Sequence, residues 1–578
     1  MIFSYFWTVR ARATAGWSLG LLSLLVNQPA WAAFITPTRS SQGMVASAHP
    51  LASQAGLEVL KQGGNAADAA VATAFALSVV EPFSAGLGGG GFLLVRWQKT
   101  GETKALDFRE RAPLQATRNL YLDPAGKVRP GASLDGHLAV GVPGTVAGLS
   151  DLHRQSGKLS WAQVIAPAIR YAEQGFVVSD RLAAVITART ALLKNPAARQ
   201  IFTQNGIPYS AGALLVQTDL AKTLKQIAQA PQSFYTGPIA QAIARDMAQN
   251  NGIVSLEDLR RYRPIWREPL CGPFRQAQVC SMPPPSSGGV HLLQILNLIG
   301  DADLKSMGWH SPDALQLMAS AMQIAYADRA TYLGDPAFVK VPVAALISPA
   351  YAQLRRPEIN LQQARPSNQV KAADPVLLQK LQRSESSDTT HLTVVDPERN
   401  VVSLTFTING PFGAGVVAAG TGILLNNEMD DFAIAPDTPN LYGLVGQDAN
   451  AIAPGKTPLS SMTPFIVTKQ GQFRLAGGSP GGSTIITTSL QLILNVLVYD
   501  MDAGAAISAP RLHHQWVPDK LRLERWGFDL MTINELKRRG NPIEEQSDWG
   551  NASLIVGTPD GKLEGAADPR GEGTAAGF

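Results

Sequence analysis

Two runs of alternating residues, 388–396 and 401–409, flank the turn formers Pro397-Glu398-Arg399-Asn400. A two-residue period on either side of such a turn predicts an antiparallel β-hairpin. Val402, Leu404, Phe406 and Ile408 then share an apolar face, matched by Leu392 and Val394, and Ser403, Thr405, Thr407 and Asn409 take the other. If Val395 pairs with Val401, Thr389 falls opposite Thr407, about 4.5–5.5 Å away between Cβ atoms. A threonine hydroxyl becomes a competent nucleophile when a base stands beside it, and an N-terminal threonine carries that base as its own α-amine. An α-amine of pKa near ~8 suits neutral pH. The chemistry would require a cut between Asp388 and Thr389, conceivable as attack of the Thr389 hydroxyl on the Asp388 carbonyl. On strand composition alone the alternative is an ordinary threonine-rich edge strand.

The rest of the chain can carry such a core. Its 578 residues are 45% hydrophobic and 16% charged, a globular balance that excludes a mainly disordered chain. The net charge of +4 is too small for a generic nucleic-acid binder. Arg10 and Arg12 precede the apolar run Ala15–Val26 and the triplet Ala30-Trp31-Ala32, a pattern expected of a cleaved export signal over residues 1–32. The destination would be periplasmic or extracellular. No later segment reads as a bilayer span, since Ile485–Val498 is interrupted by Thr487, Thr488, Ser489, Gln491 and Asn495. The two cysteines, Cys271 and Cys280, lack companions for a metal site and are left as either a disulfide or two free thiols.

Leu51–Gln62 reads as a helix stopped by Gly63-Gly64, and Asn65 caps a second, alanine-rich helix reaching about Val80 with Asp68 in its first turn. Gly86-Leu87-Gly88-Gly89-Gly90-Gly91 contains G-x-G-x-x-G but follows a helix and leads into the strand-like Phe92–Trp97. A dinucleotide site needs the opposite order, so tight backbone packing is the reading. Residues 140–253 are mostly helical, 282–289 form a rigid loop ahead of a helix, and the polar stretch 355–387 reads as a mobile surface segment.

The run Thr389–Asp396 resembles the start of the small subunit in the γ-glutamyltransferases (γ-glutamyltranspeptidases), N-terminal nucleophile hydrolases. The likeness extends over most of the chain: 43–47, 63–70, Phe108-Arg109-Glu110, 283–289, 424–432, Pro458-Leu459-Ser460-Ser461-Met462 and 478–483 are similar to family segments and in the same order. It implies an α+β fold, a four-layer αββα sandwich of two stacked antiparallel sheets flanked by helices. It also implies a precursor cut into a large subunit, 33–388, and a small one, 389–578, that build this core together. The implied activity is γ-glutamyltransferase and glutathione hydrolase. Thr389 would form a γ-glutamyl ester from glutathione or another γ-glutamyl compound, releasing cysteinylglycine from glutathione, and water or an amino acid or peptide amine would resolve it. No cofactor or metal is implied.

By the same resemblance Arg109 would hold the donor α-carboxylate through its planar fork, with the Ser460 and Ser461 hydroxyls. Asn409, Glu428 and Asp431 would receive the α-ammonium. Gly481 and Gly482 would offer backbone N–H groups to the oxyanion, and Thr407 would steady the nucleophile. Many bacterial relatives carry Gln where this chain has Glu428, an added negative charge expected to shift donor affinity. Residues 436–450 resemble a lid, from which Tyr442 would shield the acyl-enzyme. Taken singly, Arg109 could instead be a surface ion pair and Asp431 a helix cap.

Gly477-Gly478-Ser479-Pro480-Gly481 fits G-x-S-x-G, with Asp500 or Asp502 and His513 or His514 following in order, so a serine hydrolase is an alternative. Pro480 counts against it, because the residue after that nucleophile must donate an N–H. A non-enzymatic amino-acid-binding relative and a cephalosporin acylase are further alternatives. The Arg109, Ser460, Ser461 and Asp431 set favours a free amino-acid head group.

Overall fold

A computed structural model describes residues 34–374, 390–435 and 438–578. The export signal, Asp388 and Thr389, and the first residues of the lid therefore lie outside the described residues. Between them, residues 35–578 form one unit.

The hairpin forms as expected. Thr390–Val395 pairs antiparallel with Val401–Thr407, with Val395 opposite Val401 and Thr390 opposite Phe406. It is an interior pair. Thr390–Val395 is also bonded to Met44–Ser47, and Val401–Thr407 to Gly90–Arg96, so the edge-strand alternative does not hold. Thr574–Gly577 and Thr103–Phe108 followed by Ile265–Arg267 complete a seven-stranded sheet. A second seven-stranded antiparallel sheet runs Thr38–Ser40, Leu563–Ala567, Ser553–Gly557, Gln472–Gly478, Phe465–Lys469, Ala277–Ser281 and Leu270–Phe274.

Side-chain alternation sorts the layers. Leu392, Val394, Val402, Leu404 and Phe406 pack outward into one core with the helices Pro50–Lys61 and Ala66–Val80. The second sheet packs Val467, Leu475 and Leu554 against Ser287–Ile299, Pro312–Tyr332 and Ile485–Leu497. Between the sheets lie Met44, Ala46, Phe92, Val395 and Val401 from one side and Ile466, Ala476 and Ile555 from the other. The result is the four-layer αββα sandwich.

The polar hairpin face also points into this interior, where its groups satisfy one another. His391 Nδ1 is 2.9 Å from Thr405 Oγ1 and its Nε2 is 2.8 Å from Thr393 Oγ1. Ser403 Oγ donates to the Gly477 carbonyl of the facing sheet at 3.1 Å. Burial pushes the His391 imidazole down to about 3, so it is a neutral member of the interior.

Asn65 caps the second helix in a reciprocal box with Asp68. The glycine run abuts the hairpin: a Cβ on Gly89 would lie 1.7 Å from the Thr407 carbonyl oxygen, and one on Gly90 2.6 Å from Glu110 Oε2. Tight packing is thus its role, and it seats the Thr407 strand end beside the Arg109–Glu110 segment. Cys271 and Cys280 face each other across adjacent strands and are joined as a disulfide.

Two expectations need correction. The loop 282–289 ends sooner, because Ser286 caps a helix that already begins at Ser287. The start of the polar stretch 355–387 is anchored and not mobile: Arg355 is buried against Tyr351 at 2.6 Å, and Ser367 is bonded twice to Asp519. Polar composition misled there because these groups are paired internally. Residues 375–389 lie outside the described residues.

Candidate active site

At the end of the hairpin nearest Thr407 a cavity of about 240 Å³ opens. Thr390, Thr407, Asn409, Tyr442, Gly481 and Gly482 are among the residues that line it. The Thr407 hydroxyl accepts the Asn409 N–H at 2.7 Å, folding the strand end into a turn in which Asn409 takes φ 69°. Asn409 Nδ2 in turn donates to the Asn427 carbonyl at 3.0 Å, tying this turn to the acidic segment that follows. Gly481 and Gly482 follow the strand Gln472–Gly478 with φ of 132° and 57°, a conformation glycine adopts without strain. The Tyr442 ring lies directly on Gly482, where a Cβ would come within 2.1 Å of Tyr442 Cδ1. The Tyr442 hydroxyl donates to the Asn409 carbonyl at 3.3 Å, so the ring bridges Gly482 and Asn409.

The charged residues form a separate, closed cluster. Arg109 is buried, with Nη1 2.6 Å from Glu428 Oε1 and Nη2 2.7 Å from Asp431 Oδ2. Glu110 faces the same guanidinium at 3.8 Å. Three carboxyl groups thus share one arginine. Burial outweighs the pull of Arg109 and raises the Asp431 carboxyl, and it pushes Glu110 up to about 7. The surface-pair reading of Arg109 fails on its burial. The cap reading of Asp431 fails because Asp431 lies inside the short turn Glu428–Asp431.

Ser460 and Ser461 are brought near by Arg329, which the sequence reading missed. Arg329 Nη2 donates to Ser461 Oγ at 3.2 Å and to the Ser460 carbonyl at 3.4 Å. The buried Ser460 hydroxyl has no partner among the described residues. Arg329 sits in a 21-residue helix whose interior is buried on all sides, and a buried Asp328-Arg329 pair in so apolar a helix was the available signal. The lid bears on the cluster: Asn440 Nδ2 donates to Asp431 Oδ1 at 2.9 Å and the Leu441 N–H to Asp430 Oδ2 at 2.8 Å. Gln515, also missed, donates to the Gly443 carbonyl at 3.1 Å and accepts from Ser483 Oγ at 2.8 Å, joining the lid to the glycine loop.

The serine-hydrolase constellation is not assembled. Ser479 Oγ donates to the Pro480 carbonyl at 2.7 Å, and His513 is held by Thr487 and Gln515. Asp502 caps a helix and Asp500 pairs with Lys305.

A sequence profile described as gamma-glutamyltranspeptidase matches residues 52–578. The chain belongs to the γ-glutamyltranspeptidase family. It is 48% identical over 537 residues to a protein named glutathione hydrolase proenzyme from Escherichia coli strain K12, covering 92% of this chain and 91% of that one. Among solved structures, cephalosporin acylase from Bacillus halodurans superposes with a TM-score of 0.83 at 30% identity, covering 96% of this chain and 98% of that one. Helicobacter pylori gamma-glutamyltranspeptidase gives 0.56 at 47% identity, covering 56% of this chain and 94% of that one. The two stacked antiparallel sheets are those of the N-terminal nucleophile hydrolase fold. Within this γ-glutamyltranspeptidase family member, no helix among the described residues is long and apolar enough to cross a membrane.

Proposed function

We propose that the protein is a γ-glutamyltransferase and glutathione hydrolase that matures by cutting itself between Asp388 and Thr389. The observation that carries the reading is that Thr390, the residue directly after Thr389, lines the same cavity as Thr407, Gly481 and Gly482. The α-amine freed by the cut takes the Thr389 hydroxyl proton as the oxygen attacks the γ-carbonyl of the donor. Gly481 and Gly482 N–H groups stabilise the oxyanion, the C–N bond breaks, and the proton passes to the leaving amine. Water or an acceptor amine then attacks the γ-glutamyl ester and returns Thr389 to its hydroxyl form. Thr407 steadies Thr389, and Tyr442 covers the ester.

The closed cluster supports an amino-acid head group. Glu428, Asp431 and Asn409 receive its ammonium, for which three carboxyl groups around one guanidinium are suited. Arg109 with Ser460 and Ser461 receives its carboxylate, and the unpartnered Ser460 hydroxyl is a donor waiting for such an acceptor. The relative named as a proenzyme supports maturation from a precursor. We place the large subunit at 33–388 and the small one at 389–578 after removal of 1–32, the product being exported to the periplasm or beyond.

Intact mass and N-terminal sequencing of purified protein test maturation: wild type gives two chains, the smaller beginning at Thr389, and Thr389→Ala stays a single inactive chain. Any other start rejects the assignment. Turnover of a γ-glutamyl anilide should rise through an apparent pKa near ~7 to 8 and cease when the new α-amine is blocked. A glutaryl amide, which lacks the amino group, separates this reading from a cephalosporin acylase. It should be turned over at least ~100-fold less efficiently than the γ-glutamyl compound, since buried charges would be left unpaired.

A further inference from the structure

The cavity at Thr407 has a second set of lining residues that the γ-glutamyl head group does not account for. Phe83, Ser84, Arg181 and Val185 also line it. Arg109, Glu428, Ser460 and Ser461 are not among its lining residues, so the head-group cluster and these residues are distinct groups. Arg181 and Val185 are one turn apart on the helix Asp180–Ala188, which turns a single face to the cavity. Its first turn is fixed by Ser179, whose hydroxyl caps Leu182 and donates to Glu572 at 2.8 Å. The neighbouring segment is pinned as firmly: the Phe412 N–H donates to the Phe83 carbonyl at 3.0 Å and Ser84 Oγ to the buried Glu81 at 3.2 Å.

Arg181 itself is little used by the fold. Its guanidinium lies over the Phe83 ring, 5.5 Å from the centroid, and makes one long hydrogen bond of 3.5 Å to the Arg570 carbonyl. Its charge acts on the buried Glu81 only through space, and among the described residues no carboxylate forms an ion pair with it. An arginine held over an aromatic ring, with donors to spare at the rim of a reaction cavity, suits a carboxylate in bidentate contact.

We propose that Arg181 binds the free C-terminal carboxylate of the peptide part of the substrates, that is, of the dipeptide that leaves and of the amino acid or dipeptide acceptor that enters by the same route. The inference rests on the reaction proposed above and deepens it: the head-group cluster selects the γ-glutamyl side, and Arg181 selects the amine side. Acceptors with a carboxylate near their amine would be preferred over amines without one.

The test measures transfer from a saturating γ-glutamyl anilide to glycylglycine and to glycylglycine amide, in mature wild-type protein and in Arg181→Ala. In wild type the amide should show a KM about 10- to 100-fold higher than the acid, the range of a lost charged hydrogen bond. In Arg181→Ala the acid's KM should rise to meet that of the amide, while the amide's KM stays where it was. A wild-type ratio near one, or a ratio that survives in Arg181→Ala, overturns the assignment. Should Arg181→Ala fail to mature, Arg181→Lys decides: a point charge in place of the fork should give an intermediate ratio, and a wild-type ratio overturns the proposal. Absence of any γ-glutamyl product from the wild-type enzyme would instead overturn the reaction on which the inference rests.

Discussion

Around Arg109 the protein buries three carboxyl groups against one guanidinium, whereas around Thr407 it lines an open cavity with hydroxyls, glycine backbone and a single tyrosine ring. The first region is closed and charged, the second open and nearly neutral on its glycine side. Charges in a poorly solvated interior are costly when unmatched, so each member of the first region depends on the others. The second region depends on where backbone atoms are held, which is set by Gly481, Gly482 and the ring above them. Damage to the first should therefore appear as lost binding and stability, and damage to the second as lost rate.

The sharpest way to break this contrast is Arg109→Ala. Leaving Glu428 and Asp431 without their cation should weaken apparent donor affinity by about 2 to 5 kcal/mol. It should also lower the melting temperature, read by thermal denaturation alongside KM. Unchanged donor KM would dissolve the distinction. Gly482→Ala attacks the other region, where the new methyl would meet Tyr442 and the φ of 57° is unfavourable for alanine. It should lower kcat about 10²- to 10³-fold, as loss of an oxyanion donor does, with a smaller change in KM. A KM effect with kcat preserved would place the glycine loop in binding.

Asn440→Ala removes the lid bond to Asp431 and the acceptor for the Tyr442 and Leu444 N–H groups, each worth about 1 kcal/mol. Faster amide exchange over 438–450 with only a few-fold change in donor KM is expected, and no change in exchange would show the lid to be held elsewhere. The smallest effect concerns Glu81 behind the Arg181 wall, whose carboxyl burial pushes up to about 7 from an ordinary 4.5. The folded protein thus keeps a proton that the unfolded chain gives up. The stabilisation is complete below pH ~4.5 and is lost as pH rises through about 7. Glu81→Gln, which mimics the neutral form, should flatten the fall in melting temperature between pH ~5 and ~8.

The hairpin and its register were legible in the sequence because alternation and a turn fix which residues face each other, and Val395 opposite Val401 decides all the pairs that follow. The Asn65 cap was legible for a similarly local reason. What alternation could not tell was that the polar face would be buried between two sheets, because His391 hides its polarity in bonds to Thr393 and Thr405. Arg109 and Asp431 were singled out by motif, but their direct contact joins residues more than 300 positions apart. Arg329, Gln515 and Arg181 escaped for the same reason: each is an unremarkable residue of its own helix or loop until the layers close.

The order of strands in the sheets has one more outcome. Thr390–Val395 lies between Met44–Ser47 and Val401–Thr407, Phe465–Lys469 beside Ala277–Ser281, and Leu563–Ala567 beside Thr38–Ser40. A chain severed ahead of Thr390 therefore has no half that can drift away, since five backbone ladders stitch early residues to late ones. Nor could either half be produced alone and mixed with the other, because each would expose the unpaired rims of both sheets. In the maturation proposed above, assembly would precede scission, and the two pieces would remain one particle whose parts are not interchangeable modules.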